Sequence, residues 1–150
     1  MTNVSQIQIR EILEKYRVIG VVGLSDNKEK PSYQVAEYMR QHVYRIIPVN
    51  PHTQEVLGEK SYKSLLDIPA ELQRTIEIVD IFRRPEDVPQ IVEQAVKLKE
   101  ANGKPFVVWM QLGVVNEEAA KAARKAGLTV VMDRCIMVEH RNLLGASRTG

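Results

Sequence analysis

At 150 residues, 44% of them hydrophobic, the chain has the length of one domain and enough apolar content for one core, which predicts a single domain over 1–150 with its core at about 5–140. Its 21 basic and 19 acidic residues leave a net charge of +2, too little bias for a nucleic-acid partner, and one cysteine excludes an internal disulfide framework or a cysteine zinc site. No apolar run approaches the roughly 20 residues that cross a bilayer, and residues 1–10 lack the apolar stretch of a signal peptide, so the expectation is a cytoplasmic protein with no membrane partner.

Ser5 suits the N-cap of a first helix whose apolar residues are Ile9, Ile12, Leu13 and Tyr16. Residues 18–25 then read as a buried strand that breaks at Gly23 and feeds a second helix, with Val35, Ala36 and Met39 inward and His42 and Val43 at its end. Glycine lets the backbone turn sharply and approach a ligand, and the free amides at the next helix's start suit phosphate. Ser25 and Ser32 add hydroxyls there, and Lys28 and Lys30 add charge. Gly23, Leu24 and Ser25 read equally as an ordinary strand-to-helix loop, because one Gly-x-Ser says far less than Gly-x-Gly-x-x-Gly.

Residues 44–51 give a second strand stopped by proline, and 52–72 give turns with one short helix. Residues 76–82 are the third strand. Pro85 marks the start of a helix with Val88, Ile91, Val92, Ala95 and Leu98 on its packed side, closed by Asn102 and a left-handed Gly103. A fourth strand at 106–110 leads into a turn at Gln111, Leu112 and Gly113. Asn116 then caps a helix that packs through Ala119, Ala122, Ala123 and Ala126, and residues 128–132 are the fifth strand.

This alternation predicts an α/β fold, a Rossmann-like doubly wound five-stranded parallel sheet in a three-layer α/β/α arrangement, with order 3-2-1-4-5. A ligand then lies across the carboxyl ends of the first and fourth strands, between Gly23–Ser25 and Gln111–Gly113. NAD is disfavoured. The second strand ends in neutral Asn50 where an acid normally meets the ribose, and two of the three fingerprint glycines are missing. Arg83 and Arg84 directly after a buried strand suit a ligand with more than one phosphate, or else form a charged turn paired with Glu86 or Asp87. Phe82 packs on an adenine or ends the strand in the core. Trp109 lies in the core or on the crevice floor, and Gln111 meets amides of a ligand or caps a turn.

Seven blocks carry a family resemblance: Val21-Val22-Gly23-Leu24-Ser25, Ser32-Tyr33, Ile47-Pro48-Val49-Asn50-Pro51, Leu57-Gly58-Glu59-Lys60, Val79-Asp80-Ile81-Phe82-Arg83-Arg84-Pro85, Trp109-Met110-Gln111-Leu112-Gly113 and Asp133-Arg134-Cys135-Ile136-Met137-Val138-Glu139-His140. Together they resemble the small coenzyme A-binding proteins similar to the nucleotide-binding domain of the succinyl-CoA synthetase alpha subunit. The resemblance implies coenzyme A or an acyl-CoA as the ligand. It places Gly23, Leu24 and Ser25 at the phosphate end, with the Ser32-Tyr33 block following beside the charge of Lys30 read above, and Val49, Asn50 and Pro51 on the adenosine side. Phe82, Arg83 and Arg84 form the next wall, and Gln111 lies toward the pantetheine arm.

Synthetases of that type use a phosphohistidine in a second domain. Here His42 and His52 read as surface residues and His140 as part of a tail, with residues 141–150 expected to be mobile. No catalytic or metal-ligand spacing stands out. Cys135 beside Arg134 offers a thiol for exchange with the coenzyme, or is buried filler. The sequence therefore reads as a non-catalytic or accessory CoA-binding protein. Its alternatives are the CoA-binding component of an acyl-CoA ligase or transferase that needs a partner subunit, and an NAD- or ADP-responsive interaction module. A homodimer or another protein partner is left open.

Overall fold

The structure is a computed structural model and describes residues 4–145. Helix α1 (Gln6–Lys15) begins at Ser5, whose Oγ accepts from the Gln8 N–H while the Gln8 side chain accepts from the Ser5 N–H, so two first-turn amides are satisfied reciprocally. Strand β1 (Val18–Val22), helix α2 (Pro31–Gln41) and strand β2 (Arg45–Val49) follow. A small antiparallel hairpin comes next, β3 (Glu55–Val56) with β4 (Glu59–Lys60), then the short helix α3 (Ala70–Gln73). The sequence foresaw turns and a short helix over 52–72 but not the hairpin. The remaining elements alternate: β5 (Ile78–Ile81), α4 (Val88–Asn102), β6 (Val107–Met110), α5 (Glu117–Lys125), β7 (Thr129–Val131) and α6 (Ile136–His140).

Five strands pair in parallel in the order β2-β1-β5-β6-β7. The fold is the Rossmann-like α/β class expected, but the strand order is not 3-2-1-4-5. In chain order of the sheet strands it is 2-1-3-4-5, with the third strand inserted beside the first. The cause is legible in side chains and backbone. Every residue of β5 is buried, and it is flanked by β1 and β6. Pro48 in β2 has no N–H to give, so β2 belongs at the border, where the Pro48 carbonyl accepts from the passing Tyr62 N–H (3.1 Å).

Because successive strand residues face opposite sides, the sheet feeds two cores. Val22, Val49, Val79, Ile81, Val108 and Met110 meet α4 and α5 on one face. Ile19, Val21, Ile78, Trp109 and Val131 meet α1, α2 and α6 on the other. The expected face of α4 is buried as read, and Gly103 (φ 80°) closes it with its N–H on the Lys99 carbonyl. Helix α5 packs instead through Ala119, Ala120 and Ala123. Ala122 is exposed, and Ala126 lies beyond the last helical residue.

The reading of His140 as part of a tail is corrected. His140 is fully buried at the end of α6, its Nδ1 2.9 Å from the Tyr38 hydroxyl, and His42 stacks on Tyr38 at 4.0 Å. Within the segment expected to be mobile, residues Arg141–Gly145 form a π-helical turn with Leu144 buried, while 146–150 lie outside the described residues. No helix among the described residues is long and apolar enough to cross a membrane.

Candidate functional site

With β5 beside β1, the winding reverses between these two strands, and the crevice opens where Gly23 and Phe82 leave the sheet. Gly23 has φ 89°, and a Cβ there would collide with the Phe82 carbonyl oxygen, so only glycine lets the two strand ends lie this close. Its N–H donates to the Val49 carbonyl (2.8 Å), and the Phe82 N–H donates to that of Val22 (2.8 Å), which laces three strand ends into one floor.

Above it lies a cleft of about 870 Å³ that follows the carboxyl edge of the sheet from β2 to the start of α6. Asn50 and His52 line the β2 end. Gly23, Ser25, Lys30 and Ser32 line the turn into α2, and Phe82, Arg83 and Arg84 line the wall after β5. Gln111 and Gly113 follow β6, and Cys135 closes the far end. The other expected site residues stand behind this surface or beside it. Leu24 and Val49 are core residues, Tyr33 packs against the α1–α2 side of the core, and Pro51 lines adjoining hollows. Lys28 is exposed outside the cleft lining.

Polar groups at the turn are already folded onto the backbone. The Ser25 N–H donates to Ser32 Oγ (3.0 Å) and the Asn27 N–H to Ser25 Oγ (3.0 Å), leaving the hydroxyl protons for a ligand. Asn50 donates through Nδ2 to the Leu24 carbonyl (2.9 Å) and accepts from the His52 N–H (2.8 Å), so it ties β2 to the phosphate turn. Arg83 and Arg84 both donate to Asp87 Oδ2 (3.0 and 3.3 Å), and Arg84 reaches Glu86 at 3.8 Å. The paired-turn alternative is thus present while both guanidinium groups line the cleft. Hydrogen bonds from Arg83 and then Arg84 hold the Asp87 carboxyl below its usual range. Among the described residues lining the cleft, Lys30, Arg83 and Arg84 are cationic and none is acidic.

Trp109 is fully buried, so it is core and not crevice floor, and its Nε1 donates to the Arg134 carbonyl (2.8 Å), fixing the segment that presents Cys135. Gln111 is buried, and its Nε2 donates to Asp80 Oδ1 (2.7 Å). Burial raises the Asp80 carboxyl to about 7, against the pull of the Gln111 hydrogen bond and the Ile81 peptide. The sequence reading left Asp80 without a role, although an acid inside an apolar strand is itself a signal. It also missed His52, Val35 and Val114 on the cleft wall; these carry no motif and are gathered by the fold alone.

Fold and cleft together define a Rossmann-like domain with a cationic, amide-bearing crevice at its topological switch point, suited to a phosphorylated ligand. The chain belongs to the family described as CoA binding domain, whose sequence profile matches residues 17–141. It is 41% identical over 140 residues to the protein YneT of Bacillus subtilis, covering 93% of this chain and 97% of that one. It is 30% identical over 131 residues to the alpha subunit of the ADP-forming acetate–CoA ligase II of Pyrococcus furiosus, covering 85% of this chain but 29% of that subunit. Among solved structures, a hypothetical protein from Pyrococcus horikoshii superposes with a TM-score of 0.85 at 44% identity, covering 95% of this chain and 94% of the other. A redesigned binding form of the protein PH1109 gives 0.86 at 41%, covering 97% and 96%.

Proposed function

We propose that the cleft binds coenzyme A or an acyl-CoA and that the chain serves as a non-catalytic or accessory CoA-binding protein in the cytoplasm. The observation that carries this is the lining of the cleft: a glycine turn and three cations without a carboxylate at the β1–β5 end, then neutral amide and apolar groups toward β6 and β7. A diphosphate with a further phosphate suits the first part, and a long amide-bearing arm ending in a thiol suits the second. Lys30, Arg83, Arg84 and the hydroxyls of Ser25 and Ser32 would hold phosphate, Asn50 and Pro51 would flank the adenosine, and Gln111 would meet the arm. NAD fits less well, because Asn50 spends its side chain on backbone groups and brings no acid to a ribose.

Isothermal calorimetry with coenzyme A, dephospho-coenzyme A, ADP and NAD tests the reading. Coenzyme A is expected to bind tightest. Arg83→Ala with Arg84→Ala is expected to weaken it about tenfold, less than two free guanidinium groups would give, since both are already shared with Asp87. No heat and no thermal shift with coenzyme A would discard the reading. A second reading, as the CoA-binding part of an acyl-CoA ligase, rests on the likeness to a ligase alpha subunit of which the chain spans 29%. It requires a separate partner, and turnover on adding candidate subunits is its sign.

A further inference from the structure

Gln111 is a wall residue whose bonds are nearly all spoken for. Its N–H donates to the Ile81 carbonyl (3.3 Å), its carbonyl accepts from the Val114 N–H (2.8 Å), and Nε2 donates to Asp80 Oδ1. Gln111 lines the cleft, and Oε1 is the side-chain acceptor that none of these bonds uses. Asp80 is 1% exposed, on a strand central to the sheet, with Val21 and Trp109 as its register partners on either side. A carboxylate there accepts but cannot donate, so it selects which end of the Gln111 amide faces the ligand.

We propose that Asp80 is a positioning residue that turns the Gln111 amide oxygen into the cleft, where it selects a ligand arm presenting an N–H or O–H donor. This rests on the coenzyme A reading, and it identifies Gln111 as the specificity element for the arm as distinct from the nucleotide. Uptake of a proton by Asp80 adds an O–H donor and opens the reversed arrangement, in which the acid donates to Oε1, the amide nitrogen turns to the cleft, and a donor-bearing arm meets a donor. The carboxyl of Asp80, lying near 7, makes that reversal accessible close to neutrality. The neighbouring strands present no titratable side chain in register with Asp80. The titratable or charged groups across the cleft are Lys30, His52, Arg83, Arg84 and Cys135, and those beyond β7 include Asp133, which accepts from the Gly113 N–H, Arg134 with its partner Glu139, and buried His140.

The test compares coenzyme A with adenosine 3′,5′-bisphosphate, which keeps much of the nucleotide end and lacks the arm. Both meet His52 and the cations, so the ratio of their affinities isolates the arm. Gln111→Leu is expected to lower coenzyme A affinity about five- to tenfold and to leave the bisphosphate unchanged. In the unsubstituted chain the ratio is expected to fall several-fold from about pH 8 to about pH 6, and Asp80→Asn, which accepts from Nε2 but takes up no proton, is expected to flatten that profile. A ratio unmoved by Gln111→Leu overturns the proposal. Should that variant not fold, a ratio flat with pH in the unsubstituted chain overturns it instead. If neither ligand binds, the coenzyme A reading falls and this inference with it, whereas equal binding of both removes only the inference.

Discussion

An acid enclosed between Val21 and Trp109 costs free energy whenever it ionises, and at the scale of single residues Asp80 dominates the pH response. Its folded value of about 7 lies above its ordinary 3.8, so the folded chain keeps a proton that the unfolded chain releases. The contribution is fully present below about pH 4 and is lost as pH rises to about 7, a span on the order of 4 kcal/mol. Asp80→Asn is therefore expected to gain stability relative to the parent across that window and to hold the gain above it. Urea unfolding at several pH values measures this, and a pH-independent difference would refute the raised carboxyl. Asp80 was visible in the sequence as one acid in an apolar run, but a partner 31 positions away was not, since such pairing is created by the sheet register. Arg83 and Arg84 differ: their position suggested both a phosphate site and a turn paired with Glu86 or Asp87, and the fold shows that the two coexist, with both guanidinium groups on Asp87 while lining the cleft.

Elements whose ends are set by local chemistry were readable in advance. Ser5, Asn116 and Gly103 cap α1, α5 and α4 as their side chains or left-handed freedom dictate. Asn116 does more than its local chemistry required, accepting from the Ala119 N–H (2.9 Å) and donating to the Pro85 carbonyl (3.0 Å), so it clamps α5 to the turn that carries the arginines. Asn116→Ala is expected to cost about 1–2 kcal/mol in chemical denaturation, and a loss below about 0.3 kcal/mol would contradict the clamp. Less was legible where tertiary packing decided. With alanine at 119, 120, 122, 123 and 126, composition alone does not choose the buried stripe of α5, and a two-residue hairpin leaves almost no periodic trace.

For the whole molecule, alternating strands and helices fixed the class, while the strand order depended on which side of β1 each crossover returns to, a choice that periodicity does not encode. Pro48 was the available clue, because a residue without an N–H does not sit in a fully paired strand. Hydrogen exchange tests the arrangement: β1, β5 and β6, each paired on both sides, are expected to exchange more slowly than β2 and β7, and protection of β2 equal to that of β5 would refute the border position. That position has a bearing on colloidal behaviour. One border of the sheet is interrupted by an imino acid and covered by the Tyr62 segment, and the opposite one is three residues long. Neither offers a continuous template on which another copy's backbone could extend, which guards against fibrous aggregation and leaves self-association to side-chain surfaces.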